Sequence, residues 1–560
     1  MRIYLSAFAL LFGAFSSAAP ALGDTVLLEN VNGYTLDGSR ELVRFSALQF
    51  TDGEVDRIFG ADEDLPENVD RRVDGAGRTV IPGLIDAHGH VFSHGRALLS
   101  VILTGAASEQ EAAQRVADFA VENPEVEWIQ GRGWNQVLWE SNEFPGAASL
   151  DAVVSDRPVW LGRVDGHAAW ANSLAMEMAG VTAQSEDPDG GQIIRDADGN
   201  PTGVFIDTAM GLVSGIIPQP GRDEIKRAIS VSMQDLAGWG LTSVHDAGSG
   251  SAVIAAFREL LEAGEMPIRV NLMLAASDQF YEERLAEGHF RDTNDFYVMH
   301  SVKVVGDGAL GSRGAALLEE YSDDPGNHGL LRYTDEQLEY LMRAAMNAGF
   351  QVNTHAIGDA ANQIVLDTYE QLINETGRGD LRHRVEHAQV LTFDDILRFA
   401  ELGVVPSMQA VHATSDKNMA EDRLGPVRIQ GAYAWRKLLE TGVIIANGSD
   451  FPVEHPNPFH GLHASVTRQD QADEPDGGWY PEENMTLEEA FASFTIDAAW
   501  AGHQEDVLGT LEPGKKADFL LLDRDLFEIP ANEIWQIQVL ETWVNGELVF
   551  SRTVQADAAN

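Results

Sequence analysis

Between Val80 and Pro452 the chain repeats one pattern, a short apolar run that ends in polar residues, with amphipathic stretches between most of the runs. The runs are VIPGLIDAHGH (Val80 to His90), LTSVHDAG (Leu241 to Gly248), IRVNLML (Ile268 to Leu274), VKVVGDG (Val302 to Gly308), FQVNTHAIGD (Phe350 to Asp359), HRVEHAQV (His383 to Val390), VVPSMQAVH (Val404 to His412) and VIIANGSDFP (Val443 to Pro452). Runs this short read as strands. Segments between them, such as EQLEYLMRAAMNAG and DDILRFAELG, carry helical spacing and end in glycine, as helix C-termini do. Eight strands with intervening helices call for an α/β fold, a (β/α)8 TIM-like barrel, whose functional groups gather where the strands end.

The count works only if Ala106 to Trp239 is an insertion after the first strand. Its own strands (WIQGRGW, RPVWLGRV, PTGVFIDTAM) mark it as an α+β subdomain, expected to cover the pocket as a lid. Alternating runs at Thr25 to Thr79 and again at Lys516 to Val549 suggest a small β-sandwich built from both termini. The expected division is therefore a leader at 1–24, sandwich at 25–79, the start of the barrel at 80–105, the insertion at 106–239, the remaining barrel at 240–505, sandwich again at 506–552, and a tail at 553–560.

The opening MRIYLSAFALLFGAFSSAAPALGD has one arginine, an apolar stretch from Ile3 to Phe15 and then mostly small residues, the pattern of a secretory signal cleaved near Ala21 or Gly23. The apolar run falls short of the roughly 20 residues that span a bilayer. A periplasmic or secreted protein without membrane insertion is the expectation, an N-terminal anchor the alternative. Lys+Arg 38 against Asp+Glu 88 leaves a formal charge of -50, which repels phosphate backbones and argues against nucleic acid and anionic membranes as partners. Without cysteine, any metal must be held by nitrogen and oxygen. The sequence leaves monomer and homodimer open.

The polar residues fall where such a barrel needs them. His88 and His90, two apart, face the same way at the first strand's end. Lys303 stands in the apolar VKVV; His355, His387 and Asp450 end the fifth, sixth and eighth strands. Six donors from five strands suit one or two divalent ions, with zinc favoured. Each has a plainer alternative: buried histidines, a lysine in an ion pair, and an aspartate capping a turn before Pro452. An inward lysine tends towards the neutral amine, which reacts with carbon dioxide to form N6-carboxylysine, a carbamate able to bridge two metals. Asp450 beside a metal is placed as a proton acceptor. Weaker candidates are Asp307 and Ser312 after Lys303, His245 and Asp246 at the second strand end, and His412 as a substrate-binding group at the seventh. In the insertion, Trp134, Asp165 and His167 are candidates to line the pocket.

VIPGLIDAHGH, VKVVGDGALGSRGAAL, NTHAIGDAA, RHRVEHAQ, PSMQAVHATSD, NGSDFPVE and LGTLEPGKKADFLLLD resemble the metal-dependent amidohydrolase superfamily, in particular its YtcJ-like branch, from about Thr25 to Val549. DGHAAWANS and PTGVFIDTA in the insertion are similar to that branch too. The resemblance implies that His88, His90, His355 and His387 are metal ligands, Lys303 the carboxylated bridge and Asp450 the metal-contacting general base. It implies hydrolysis of a carbon-nitrogen bond that is not a peptide bond, in a small N-acyl, N-formyl or cyclic amide. An ester or lactone hydrolase on the same site, and a catalytically silent binding protein, are the rival readings.

Overall fold

Eight strands, Leu84–Gly89 (β1), Leu241–Ser249 (β2), Arg269–Ala275 (β3), Tyr297–Val305 (β4), Gln351–Ala356 (β5), Arg384–His387 (β6), Val405–Gln409 (β7) and Ala446–Gly448 (β8), lie side by side in that order in the computed structural model. The structure describes residues 23–164 and 166–552. Every pairing from β1 to β8 is parallel. The ring closes at its mouth, where Asp450 N donates to His88 O (2.7 Å) and His90 N donates to Phe451 O (2.8 Å). The expected (β/α)8 barrel is the fold.

Alternation along the strands sorts the residues. On β6, Val385 belongs to the large apolar core, together with Val302 and Val304 of β4 and Phe399 and Leu372 from the helical shell. Arg384 and Glu386 point the other way, into the barrel, and are fully buried there. The outer helices start as their sequences require: Thr334, for example, caps Asp335–Asn347 by accepting from Gln337 N, with the Gln337 side chain reaching back to Thr334 N.

Two boundaries differ from the sequence expectation. Val80 to His90 is not one strand but two. Thr79–Pro82 pairs antiparallel with Phe519–Leu522 in the sandwich, and β1 begins only at Leu84. The chain changes sheets at Gly83, where a Cβ would sit 2.1 Å from Thr242 Oγ1, so only glycine passes. The insertion likewise does not run from Ala106 to Trp239. Its six-stranded mixed sheet already includes Val101–Ile102 and ends with Pro201–Asp207. The helix Arg222–Gly238 belongs to the barrel shell, because Ile225, Ile229, Met233 and Leu236 are buried in the barrel's own core.

The sandwich has a four-stranded and a six-stranded sheet, the latter joining Thr79–Pro82 and Asn32–Leu36 from the N-terminal side to Phe519–Leu522 and Val539–Val544 from the C-terminal side. Phe50, Phe519 and Trp543 fill its core. Residues 1–22 of the leader expected over 1–24, and the tail at 553–560, lie outside the described residues. Among the described residues no helix is long and apolar enough to cross a membrane.

Sandwich and barrel are joined by a buried ion pair. Arg269, at the start of β3, donates from Nε to Asp518 Oδ2 (2.6 Å) and from Nη2 to Asp518 Oδ1 (2.9 Å). Removing one partner leaves the other charged and dry, so Asp518→Ala is expected to cost about 3–5 kcal/mol of stability. Glu528→Ala, which breaks the solvent-exposed pair with Arg44, is expected to leave stability nearly unchanged. Urea unfolding followed by tryptophan fluorescence measures both, and equal effects would refute the role given to the Arg269 pair.

Candidate metal centre

The mouth of the barrel gathers residues that the sequence keeps hundreds of positions apart. Asp450 Oδ1 lies 3.1 Å from His90 Nε2 and 3.7 Å from His88 Nε2, and Asp450 Oδ2 lies 3.8 Å from His412 Nε2. Lys303 Nζ is 3.2 Å from His88 Nε2. The His387 ring sits 4.8 Å from that of His88 and 4.5 Å from that of His355, centroid to centroid. Donor atoms of His88, His90 and Asp450, and separately of His387, His412 and Asp450, all lie within 4.8 Å of one another.

Strand alternation alone does not aim all of these inward. On β6, Glu386 already takes the inward position, which would turn the next side chain away. His387 has φ +74° and Ala388 φ +42°, and this left-handed backbone swings the His387 ring back over the mouth. Asp450 does the same after β8, with φ +61°. Such conformations cost of order 1–3 kcal/mol each in a residue with a Cβ and persist where surrounding bonds impose them. Here Asp86 imposes one: its carboxylate accepts from Ser449 N (3.1 Å), Ser449 Oγ (2.6 Å) and His88 N (3.0 Å), clamping the turn that carries Asp450 to β1.

Beneath the donors lies a shell of which the sequence pointed only to His245. His88 Nδ1 is bonded to Glu386 Oε2, and since a carboxylate only accepts, the proton sits on Nδ1 and Nε2 keeps its lone pair for the centre. Arg384 holds Glu386 (3.1 Å) and also donates to Ala87 O (2.7 Å), Ser407 Oγ (2.7 Å) and His245 Nδ1 (2.9 Å). His387 Nδ1 is fixed by Gln409 Oε1 at 2.7 Å. The available signal was the spacing in RHRVEHAQ, where two opposite charges two apart on a barrel strand must share its inward face.

Electrostatics follow the burial. Desolvation lowers the Lys303 amine to about 8, and desolvation together with the Lys303 charge lowers His88 to about 4. Burial alone would raise Asp450, but the hydrogen bond from His90 and the charges of His88, His387 and His412 outweigh it and hold the carboxylate ionised, well below its usual range. Glu386 is likewise held low, burial being outweighed by Arg384 and His88.

These residues fit a divalent cation. Among the described residues, His355 Nε2 and His412 Nε2 are buried with no hydrogen-bond partner, each a site that normally costs about 1–3 kcal/mol to leave unsatisfied. Histidine nitrogens and a carboxylate converging from several strands are what a metal satisfies, and nitrogen and oxygen are the donor types present.

The substrate candidates fare unevenly. His412 joins the centre. Asp307 does not face a substrate: its carboxylate accepts from Ala316 N (2.9 Å), Ile357 N (3.0 Å) and Gly358 N (2.9 Å), and its Oδ1 is 3.3 Å from His355 Nε2, so it positions the turn behind His355. Trp134 is buried in the insertion's core, its indole N–H donating to Leu161 O and its ring packed on Trp139, Phe144 and Trp170; a large ring on an inward strand position is packing, not contact. His167 sits at the insertion's surface with Nδ1 2.8 Å from Asp207 Oδ1. Asp165 lies outside the described residues. Ser312 is exposed in its turn, and Asp246 accepts from Val91 N, tethering the helix Val91–Leu98 that follows β1.

A family model described as "Amidohydrolase family" matches residues 71–550. The protein LONG AFTER FAR-RED 3 of Arabidopsis thaliana is 33% identical, covering 97% of this chain and 94% of its own. Putative amidohydrolase YtcJ of Bacillus subtilis is 31% identical over 87% of this chain and 92% of that protein. N-substituted formamide deformylase of Arthrobacter pascens is 28% identical over 86% and 90%. Among solved structures, an uncharacterized metal-dependent hydrolase from Pyrococcus horikoshii aligns with TM-score 0.75 and 26% identity, covering 91% of this chain and 99% of that one.

If Glu386 orients His88 for the metal, Glu386→Gln weakens metal binding by about 10- to 100-fold while the fold stands, as read by competition with a chromogenic chelator; an unchanged affinity would remove Glu386 from the centre. Barrel, converging donors and a match over most of the sequence agree, and the chain belongs to the amidohydrolase family of metal-dependent hydrolases, in its YtcJ-like branch.

Proposed function

We propose that this protein is an exported hydrolase of a non-peptide carbon-nitrogen bond, in a small N-acyl, N-formyl or cyclic amide, with Asp450 as the proton-transfer group. The observation that carries the reading is Asp450 itself, a carboxylate kept ionised at the centre of the histidine cluster, with Oδ1 3.1 Å from His90 Nε2 and 3.7 Å from His88 Nε2. The similarity to a protein named for deformylating N-substituted formamides supports the amide as the bond attacked. The leader-like composition of the first 24 residues supports export to the periplasm or medium.

His88, His90, His355, His387 and Asp450 would hold one or two divalent ions, zinc by the donor set, and Lys303, if present as N6-carboxylysine, would add carbamate oxygens to that set. When bound, the metal supplies Lewis acidity that polarises the amide carbonyl and acidifies water at neutral pH. Asp450 takes a proton from the attacking water and returns it to the leaving nitrogen, the half of amide cleavage that fails without an acid because an amide anion is a poor leaving group. His412 Nε2, buried and unpartnered 3.8 Å from Asp450, is placed to hold the carbonyl oxygen. Lys303, as the neutral amine that burial favours, is the nucleophile that carbon dioxide requires.

Three outcomes test this. Asp450→Asn is expected to lower kcat by about 100- to 10,000-fold with little change in KM. Matched amide and ester pairs are expected to be split in favour of the amide, and an exclusive preference for the ester would sink the bond assignment. Since protonation of Lys303 blocks its reaction below about pH 8, metal-stripped protein given metal at fixed dissolved carbon dioxide should recover activity roughly eightfold faster at pH 8.5 than at pH 7. Recovery independent of carbon dioxide would exclude the carbamate.

A further inference from the structure

A cavity of about 450 Å³ opens beside the centre, lined by His90 and Lys303 on one side and by Arg332 and Tyr333 on another, with Ala247, Gly248, Ala275 and Ser277 between them. That volume lies in the range of small-ligand sites, about 300–1,000 Å³. Its wall is kept small where it passes the lysine: Gly248 has φ +107°, and a Cβ there would meet Lys303 Cγ at 3.1 Å. Among the described residues no carboxylate lines it.

Arg332 is the unusual member. Most arginines of this acidic protein are paired, yet among the described residues the Arg332 guanidinium has neither an ion pair nor a hydrogen bond. Its backbone is not loose. Leu330 N donates to Gly314 O (3.2 Å), Arg332 N donates to Gly306 O (2.8 Å) just beyond β4, and Thr334 caps the next helix. Gly329, at φ +73°, lies so near Ala315 that a Cβ would reach its carbonyl oxygen at 1.9 Å. Arg332, itself solvent-exposed, thus offers a planar, permanently charged fork from a fixed edge of the cavity beside the hydrolytic centre.

We infer that Arg332 anchors a carboxylate of the substrate, so that the amide cleaved is one bearing an anionic group next to the scissile bond. This names the substrate class for the hydrolytic reading above, on which it rests. Guanidinium and carboxylate pair through two parallel N–H···O bonds, a geometry that fixes orientation as well as charge. The overall charge of -50 opposes an anion only at long range, since screening confines it to about 10 Å at 0.1 M salt, and inside the cavity the local cation decides.

The test compares N-formylphenylalanine with N-formylphenethylamine, which differ by the carboxylate alone, on metal-loaded wild type, Arg332→Met and Arg332→Lys. Wild type should favour the anionic probe in kcat/KM by at least about tenfold, Arg332→Met should collapse that ratio, and Arg332→Lys should restore part of it. A preference for the neutral probe, or a ratio unchanged in Arg332→Met, overturns the inference. Should neither probe be hydrolysed, the bond assignment is what fails, and calorimetry with 3-phenylpropionate and 3-phenylpropionamide decides on Arg332. Tighter binding of the acid that is lost in Arg332→Met supports the anchor; acid binding that survives the substitution overturns it.

Discussion

The contact between the first and last strands of the barrel holds the rest in place. β1 and the turn after β8 are joined by Asp450 N to His88 O and His90 N to Phe451 O, so the bonds that shut the ring connect the very residues that carry the donors. Asp86 reinforces the seam from below through Ser449. Gly448 makes the approach feasible, since a Cβ there would collide with His88 N at 2.6 Å. Closure and metal geometry are therefore one constraint: a barrel that opened at this seam would separate Asp450 from His88 and His90.

Around that seam the protein accepts local costs that neighbouring bonds offset. His387 and Asp450 hold left-handed backbone. Arg384 and Glu386 are buried charges that survive because each satisfies the other along with His88, His245, Ser407 and a carbonyl. Burial weakens His88 as a base, which leaves a lone pair, not a proton, facing the centre, and it brings the Lys303 amine down to about 8. Asp450 goes the opposite way and stays charged. Neutral nitrogens around one ionised carboxylate are what a divalent cation binds and what a hydrolytic reaction uses as its base.

Much of this was legible in the sequence, because period-2 alternation and glycine-ended helical segments are local properties. All eight barrel strands stand where the apolar runs are, and His88, His90, Lys303, His355, His387, His412 and Asp450 do converge. The misreadings share a cause. Val80 to His90 looks continuous, but which sheet an apolar residue pairs with depends on a partner more than 400 positions away, Leu521 for Val80. Trp134 looked like a pocket aromatic and Asp307 like a substrate contact because residue type was visible and surroundings were not.

The sequence by itself determined the strand order, the sorting of polar residues to strand ends and the exclusion of thiolate ligands, each a matter of short-range pattern or composition. Only the tertiary structure decided that Glu386 and Arg384 stand under His88, that His387 turns inward against its strand's alternation, and that Arg332 lines the cavity with no partner among the described residues. Those facts depend on distances between segments far apart in the chain and on backbone torsions that the packed neighbours impose, and neither quantity is written in the local pattern of residues.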